Sequence, residues 1–108
     1  MNTKENKFSF KNKVYAVTKK IPKGKVASYK QIARLAKNPN AARAVGAYMR
    51  TNPYAPQVPC HRVVASNGAL TGYSGKGGVR GKQKLLQAEG VYFLKNGRVD
   101  MKKSGWKK

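Results

Sequence analysis

Two short helical patterns separated by a proline are the feature of this sequence that most constrains its fold. Ser28 and Gln31 have the spacing of a capping box, which predicts a helix over residues 29–37. Asn38-Pro39 then ends that helix and starts another over residues 39–50, because Asn favours the N-cap and Pro fits the first helical position. Two short helices joined by so brief a turn have helix-turn-helix geometry.

The second of these helices has two unlike faces. Its inward face is expected to consist of four residues: Ala41, Val45, Tyr48 and Met49. Its outward face consists of Asn40, Arg43, Ala47 and Arg50. Small residues allow a helix to lie close to a sugar-phosphate surface, while an isolated arginine projects beyond them. The alternative is an Ala-rich helix with solvated arginines, although Gly46 weakens the helix without an evident local benefit.

The charge balance limits the partners of the chain. Lys and Arg number 24 against three acids, for a formal net charge of +21. Such an excess destabilises a compact chain by self-repulsion unless polyanions surround it, so nucleic acid is the expected partner. Binding to an anionic membrane would require a basic amphipathic helix with bulky apolar anchors, and we find none. The polar N-terminus does not read as a secretory signal, so we expect an intracellular protein.

The remaining helical patterns lie on either side of this unit. Ser9 is a plausible N-cap for a first helix that stops near Lys20. A last helix is predicted over residues 81–89, packing Leu85 and Leu86 inward. Gly90 supplies its C-terminal stop.

Two Asn-Gly dipeptides predict β hairpins. Asn67-Gly68 would join strands over 62–66 and 69–73, and Asn96-Gly97 would join strands over 91–94 and 98–101. The fold class is therefore mainly α with short β hairpins, in a winged helix-turn-helix-like domain. We expect one domain over residues 1–108, with flexible basic ends at 1–7 and 102–108.

The heptapeptide VPCHRVV contains both the single cysteine, Cys60, and the single histidine, His61. Pro59 stiffens the approach to the thiol, and His61 and Arg62 are neighbours that favour the nucleophilic thiolate. One cysteine excludes a disulfide framework and a multi-cysteine zinc site, so neither a metal nor a cofactor is expected. The alternative is a buried structural cysteine beside a satisfied histidine.

A glycine-rich stretch, GYSGKGGVRGK, follows this heptapeptide. Its glycine spacing does not match a phosphate-binding P-loop, which argues against nucleotide hydrolysis. The stretch either admits a substrate to a nearby reactive centre or is a mobile surface loop.

Several segments together resemble the catalytic domain of the O6-alkylguanine-DNA alkyltransferases. These segments are ASYKQIARLAKNPNAARAVGAYMRTNP, VPCHRVV, GYSG and LLQAEG, in that order along the chain. The resemblance implies that Cys60 accepts an alkyl group from O6 of a damaged guanine in a stoichiometric, self-inactivating reaction. It also implies that the nucleotide is first rotated out of the duplex, from the minor groove, because chemistry on a base requires access to it.

The resemblance assigns roles to individual residues. Arg43 matches an arginine finger that replaces the extruded base, and Tyr29 matches a tyrosine that assists rotation and protonates guanine N3. His61 would act on Cys60 through a water and would be oriented by Glu89, while Asn52 matches a hinge asparagine. The implied catalytic set is Cys60, His61, Glu89, Tyr29 and Asn52. The implied DNA-binding set is Arg43, Tyr29, Ala42, Ala44, Gly46, Ala47 and Arg50, and the implied substrate pocket is Met49, Val63, Tyr73 and Ser74.

Two of these roles have simpler alternatives. Tyr29 could be a core tyrosine at the start of a helix, and Glu89 could be a surface acid at a helix end. The chain also resembles the single-domain alkyltransferase-like proteins, because the N-terminal domain of most alkyltransferases has no counterpart here. Those proteins bind the lesion and recruit excision repair, and they typically lack the acceptor cysteine that this chain retains as Cys60.

These resemblances make direct-reversal repair of duplex DNA containing O6-alkylguanine the leading hypothesis, carried out by a monomer in a prokaryotic cytoplasm or nucleoid. A non-catalytic lesion binder is the second hypothesis. A basic helix-turn-helix regulator or nucleoid protein, which would read DNA without preferring the lesion, is the third. A cysteine hydrolase is least favoured, since nothing besides Cys60 and His61 indicates acyl chemistry.

Overall fold

Short helices carry most of the regular structure in the protein. A computed structural model describes residues 9–71 and 77–108. Along these residues the helices are α1 (Phe10–Lys19), α2 (Tyr29–Leu35), α3 (Ala42–Arg50), α4 (Gly78–Ala88) and α5 (Met101–Ser104). A 3₁₀ helix spans Cys60–Arg62, and the strands are β1 (Ala27–Ser28) and β2 (Val63–Val64). The expectations for residues 1–7, Tyr73 and Ser74 lie outside the described residues.

Both predicted N-caps are present. The Ser9 hydroxyl accepts a hydrogen bond from the backbone N–H of Asn12 at 3.2 Å, at the start of α1. The Ser28 hydroxyl accepts one from the N–H of Gln31 at 3.0 Å, at the start of α2. Each bond satisfies a donor that the first helical turn leaves without an intrahelical partner.

The turn between α2 and α3 is longer than the sequence predicts. Lys37 has a left-handed conformation with φ of 75°, and the N–H of Asn38 bonds back to the Ala33 carbonyl at 2.9 Å. This geometry ends α2 before the predicted Lys37. The Asn38 carbonyl accepts from the N–H of Ala41, so Asn38 and Pro39 form the turn itself instead of opening α3, which begins at Ala42.

The core of the helix-turn-helix forms between α1, α2 and α3. The fully buried side chains of Val14, Ile32 and Val45 meet there. Val45 and Met49 face inward as predicted. In α4, Leu86 is buried but Leu85 is 41% exposed, which corrects the expectation that both pack inward. The helix begins at Gly78, three residues before its predicted start.

The strand that precedes Asn67-Gly68 pairs differently from the predicted hairpin. Asn67-Gly68 does form a turn, closed by a hydrogen bond from Ala65 N–H to the Ala69 carbonyl at 3.1 Å. Beyond that bond, however, β2 pairs in parallel with β1. At the second Asn-Gly the predicted antiparallel pairing is present in short form. Phe93 and Val99 form a bridge, and hydrogen bonds join Leu94 N–H to the Arg98 carbonyl and Asp100 N–H to the Tyr92 carbonyl, each at 2.8 Å. The mainly helical class holds, while the sheet of the described residues is a parallel pair.

The C-terminal residues are not the loose end that their composition suggests. Asp100 caps α5 by accepting from the N–H groups of Lys102 and Lys103. Gly105 then forms a parallel bridge with Val26, and Trp106 packs against the core. Backbone pairing thus orders residues whose charge alone favours solvent, which corrects the expectation of a flexible end there.

Within the described ranges, no helix has the length and apolar character required to cross a bilayer.

Candidate active site and nucleic-acid interface

The cysteine lies at the start of the 3₁₀ helix that precedes β2. Cys60 carries a free thiol and is only 7% exposed. Its N–H bonds to the Val58 carbonyl at 2.8 Å, and Arg62 N–H bonds to the Pro59 carbonyl at 2.9 Å. The proline therefore stiffens a tight turn, which holds the thiol against the core.

Asn52 joins the end of α3 to this turn. Its side-chain amide donates to the Val58 carbonyl at 2.8 Å, and its amide oxygen accepts from Tyr54 N–H at 2.9 Å. Val58 is two residues before Cys60, so Asn52 connects the helix that ends at Arg50 with the cysteine. These contacts place Asn52 between α3 and the cysteine turn, and its role as a hinge stays a prediction.

Glu89 is the partner of both residues that follow the cysteine. One carboxylate oxygen of Glu89, Oε2, lies 3.0 Å from His61 Nε2 and accepts a hydrogen bond from Arg62 Nη2 at 2.8 Å. The other, Oε1, accepts from Arg62 Nε at 2.9 Å. Arg62 also donates to the Ile21 carbonyl at the end of α1. The side chains are largely buried, with exposures of 17% for Arg62 and 13% for Glu89.

These contacts set the charge of Glu89 and correct the role of Arg62. Burial alone would raise the pKa of Glu89, but the hydrogen bonds from Arg62 and His61 outweigh it and hold the pKa below its usual value. The carboxylate is therefore charged and orients the His61 ring. Arg62 was expected as a cationic neighbour of the thiol. Its guanidinium instead donates hydrogen bonds to Glu89 and to the Ile21 carbonyl.

Lys82 is a site residue that sequence reasoning missed. It is 1% exposed, and its ammonium donates to the carbonyls of Val63 at 2.7 Å and Thr71 at 3.1 Å. Burial lowers the pKa of Lys82 to about 8, and the nearby Cys60 acts in the opposite direction because a thiolate favours the charged amine. Its position in α4, four residues before Leu86 on the same helical face, was the available signal.

Tyr29 and Lys82 meet at one residue. The Tyr29 hydroxyl donates to the Thr71 carbonyl at 3.2 Å and also lies 3.2 Å from the Thr71 hydroxyl. Because Lys82 bonds the same carbonyl, Thr71 links the N-terminus of α2 to α4 just before the glycine-rich stretch. Tyr29 is partly buried against the core, and its hydroxyl lies on this polar cluster.

The outward face of α3 matches the sequence interpretation. Arg43 and Arg50 are exposed, while Ala42, Ala44, Gly46 and Ala47 are partly exposed between them. A Cβ placed on Gly46 would lie 3.6 Å from the Arg50 guanidinium and 3.9 Å from the Tyr29 ring. The surface around Gly46 is thus shared by α3 and the start of α2.

The expected substrate pocket is only partly described. Met49 and Val63 lie in the same buried cluster as Cys60, with exposures of 4% and 0%, whereas Tyr73 and Ser74 lie outside the described residues. A cavity of about 450 Å³ lies elsewhere, between α1 and the connection that follows α3. It is lined by Asn12, Tyr15, Ala16, Lys19, Tyr54, Gln57 and Val58.

The fold and the site define a class. A helix-turn-helix joined through an asparagine to a buried cysteine, with a histidine held by glutamate, is the arrangement expected of an alkyltransferase DNA-binding domain. Residues 9–91 match the family described as 6-O-methylguanine DNA methyltransferase, DNA binding domain. The chain belongs to that family.

Named relatives agree with this assignment. The chain is 51% identical over 84 residues to the human methylated-DNA--protein-cysteine methyltransferase, covering 78% of this chain and 40% of the relative. The enzyme of the same name from Salmonella typhimurium is 47% identical over 85 residues, covering 79% of this chain and 48% of the relative. The chain thus spans less than half the length of these curated relatives.

Two solved structures of proteins in complex with DNA are similar to this chain. S. pombe Atl1 in complex with damaged DNA containing O6-carboxymethylguanine is 33% identical, with a TM-score of 0.78 and coverage of 100% of both chains. Mycobacterium tuberculosis OGT in complex with DNA is 44% identical, with a TM-score of 0.71, and the match covers 76% of this chain and 50% of that one.

Proposed function

We propose that the protein is a methylated-DNA--protein-cysteine S-methyltransferase that repairs O6-alkylguanine in duplex DNA. Cys60 Sγ would form a bond to the alkyl carbon as the bond from that carbon to guanine O6 breaks, and the electron pair would pass into the guanine ring. The products are a restored guanine and a thioether on Cys60. Each molecule acts once, because the thioether has no route back to the thiol.

The buried His61–Glu89 pair carries this proposal. A thiol must lose its proton to become a strong nucleophile, and a histidine oriented by a carboxylate can accept that proton through a bridging water. Glu89 lies 3.0 Å from His61 Nε2, which orients the ring so that its other nitrogen is available on the opposite edge.

Lys82 would support the same step through its charge. It is the one buried ammonium among the described residues, and its pKa responds to Cys60. A positive charge in a site of low dielectric stabilises a thiolate. Lys82 also fixes the carbonyls of Val63 and Thr71, so we infer that it positions the walls of the pocket.

Tyr29 would supply the proton that the leaving guanine needs. Its hydroxyl is partly exposed on the Thr71 cluster, at the edge of the α3 surface that contains Gly46. A phenol there could turn from Thr71 to guanine N3 when the base enters from the minor groove. This transfer balances the proton taken from Cys60.

The α3 surface would open the duplex. The exposed Arg43 would enter the base stack where the damaged nucleotide leaves, with Arg50 on a phosphate. The small residues Ala42, Ala44, Gly46 and Ala47 allow the helix to approach the backbone closely. Extrusion costs a few kcal/mol of stacking and pairing, which a filled gap reduces.

Mass spectrometry tests the proposal directly. The protein is incubated with a duplex containing O6-methylguanine, digested, and searched for an added methyl group. We expect one methyl per molecule, on Cys60, and unmodified guanine in the DNA. Methylation of another residue, or several repairs per protein molecule, would contradict the mechanism. Cys60→Ala serves as the control and should leave the lesion intact.

A non-catalytic lesion binder is the second candidate. The similarity to S. pombe Atl1 over the full length of both chains favours it. It predicts tight binding to the O6-methylguanine duplex with no transfer of the methyl group, even with Cys60 present. Measuring the affinities of wild type and Cys60→Ala alongside the mass shift separates the two candidates, because only the enzyme adds mass to the protein.

A further inference from the structure

The segment after Val99 is bound to the first helix of the helix-turn-helix. We call residues 99–108 the C-terminal strap. Backbone bonds join Val26 N–H to the Ser104 carbonyl at 2.9 Å and Trp106 N–H to the Val26 carbonyl at 2.7 Å. On α2, Gln31 donates to the Trp106 carbonyl at 2.9 Å and Arg34 donates to the Lys108 carbonyl at 3.1 Å.

The strap places an unusual density of positive charge on that helix. Its lysines are all exposed: Lys102, Lys103, Lys107 and Lys108. Lys30 on α2 is exposed as well. Asp100, the acid of the strap, accepts the N–H groups that open α5, and Glu89 is held by Arg62 and His61. Asp100 therefore offsets one of the four lysine charges of the strap, and Glu89 offsets none, so the strap keeps an excess of positive charge.

The position of the strap indicates its partner. In helix-turn-helix proteins the second helix enters a groove while the first helix crosses the sugar-phosphate backbone. The strap runs along that first helix and lies wholly outside residues 9–91, the part that matches the family. Backbone hydrogen bonds hold it in place, so its lysines can bind phosphates with little loss of chain entropy.

We propose that Lys102, Lys103, Lys107 and Lys108 form a second DNA-contacting surface, which binds phosphates of the same duplex that α3 enters. This inference rests on the DNA binding proposed above but not on alkyl transfer. It assigns to the strap a sequence-independent contribution to affinity, because lysine reads phosphate charge and not base identity.

Salt dependence of binding tests the proposal. Lys107→Gln/Lys108→Gln is compared with a control of equal charge loss on α1 and its C-cap, Lys13→Gln/Lys20→Gln, using an undamaged duplex of about two helical turns in fluorescence anisotropy. The slope of log affinity against log salt should fall by about 1.8 for the strap variant, since each lost phosphate contact removes about 0.9. The control should retain the wild-type slope.

Each other outcome overturns the inference in a recognisable way. Equal slopes for both variants would mean that the strap lysines are only solvated. Two duplexes bound per wild-type protein, with the second lost in the strap variant, would mean that the surface binds another DNA molecule. Absence of binding by wild type would also remove the DNA-binding part of the proposed function, whereas failed alkyl transfer would leave this test unaffected. Circular dichroism and urea midpoints check that both variants remain folded.

Discussion

Two arginines of this protein, Arg62 and Arg43, show how burial decides what a charge does. Arg62 is 17% exposed, bonds both oxygens of Glu89 and also holds the Ile21 carbonyl. Arg43 stands exposed on α3 among small residues. The first arginine has its hydrogen-bonding capacity committed inside the protein, whereas the guanidinium of the second is exposed to solvent.

The contrast follows from solvation. A charge removed from water is costly unless a partner and hydrogen bonds replace the lost hydration, so buried charges occur in sets. His61, Arg62 and Glu89 form such a set, and it fixes the His61 ring. The exposed guanidinium of Arg43 keeps its hydration. Changes in the first region should therefore affect stability, and changes in the second should affect binding.

Glu89→Ala should have the largest effect on stability. It leaves the guanidinium of Arg62 largely buried without its carboxylate, and breaking such a pair costs about 3 kcal/mol. Urea unfolding at neutral pH measures the loss. Removing both partners in Glu89→Ala/Arg62→Met should recover part of it, because no unpaired charge remains. Equal losses in the single and double variants would contradict this account.

The same carboxylate predicts an acid limit. Its folded-state pKa is lowered, so its contribution to stability is complete above the unfolded pKa of about 4.3 and is lost as pH falls through the lower folded value. Wild type should lose stability more steeply than Glu89→Gln below about pH 4. Parallel curves for the two proteins would show that the ion pair contributes nothing.

Lys82 offers the next test of the buried region, at the alkaline end of the pH range. Its pKa falls to about 8 on folding, so the unfolded chain binds more protons between that value and about 10.4, and folding stability rises with pH across this window. A neutral amine can still donate to Val63 and Thr71. Relative to Lys82→Met, wild type should gain on the order of 2 kcal/mol between pH 7 and 10. A constant difference would contradict the shift.

Arg43→Ala should reverse the pattern seen at Glu89. We expect the free energy of unfolding to stay within about 0.5 kcal/mol. Alkyl transfer from duplex DNA should slow by roughly 10- to 100-fold, because the extruded base loses the group that fills its gap. Reaction with free O6-alkylguanine base should not change. Arg80→Ala, an exposed arginine on α4, is the matched control, and equal losses on duplex and free base would argue against a finger.

Gly46→Ala should have the smallest effect and the most diagnostic sign. A Cβ there meets ordinary contact distances of 3.6 and 3.9 Å, so the free energy of unfolding should rise by about 0.5 to 1 kcal/mol through helix propensity. Affinity for duplex DNA should nevertheless fall severalfold, since the added methyl separates α3 from the backbone. A variant both more stable and equally tight in binding would show that Gly46 does not lie against DNA.

Local patterns predicted the elements that depend on local chemistry. The caps at Ser9 and Ser28, the inward face of α3 and the stop at Gly90 are confirmed, because each depends on neighbours within one helical turn. The predicted boundary between α2 and α3 was wrong, because Lys37 adopts a left-handed conformation that composition does not favour. In the first predicted hairpin, the strand before Asn67-Gly68 is β2. It pairs in parallel with β1, which is distant along the chain.

By itself, then, the sequence determined the helix-turn-helix and the position of the candidate nucleophile, Cys60, and through family resemblance it pointed to the histidine–glutamate pair and the α3 surface. Only the tertiary structure decided that Arg62 serves Glu89, that Lys82 is buried beside Cys60, and that the C-terminal strap lies along α2. The reason is physical. Capping and helix periodicity act over a few residues, whereas the partner of a buried charge is chosen by packing between segments that lie far apart in sequence.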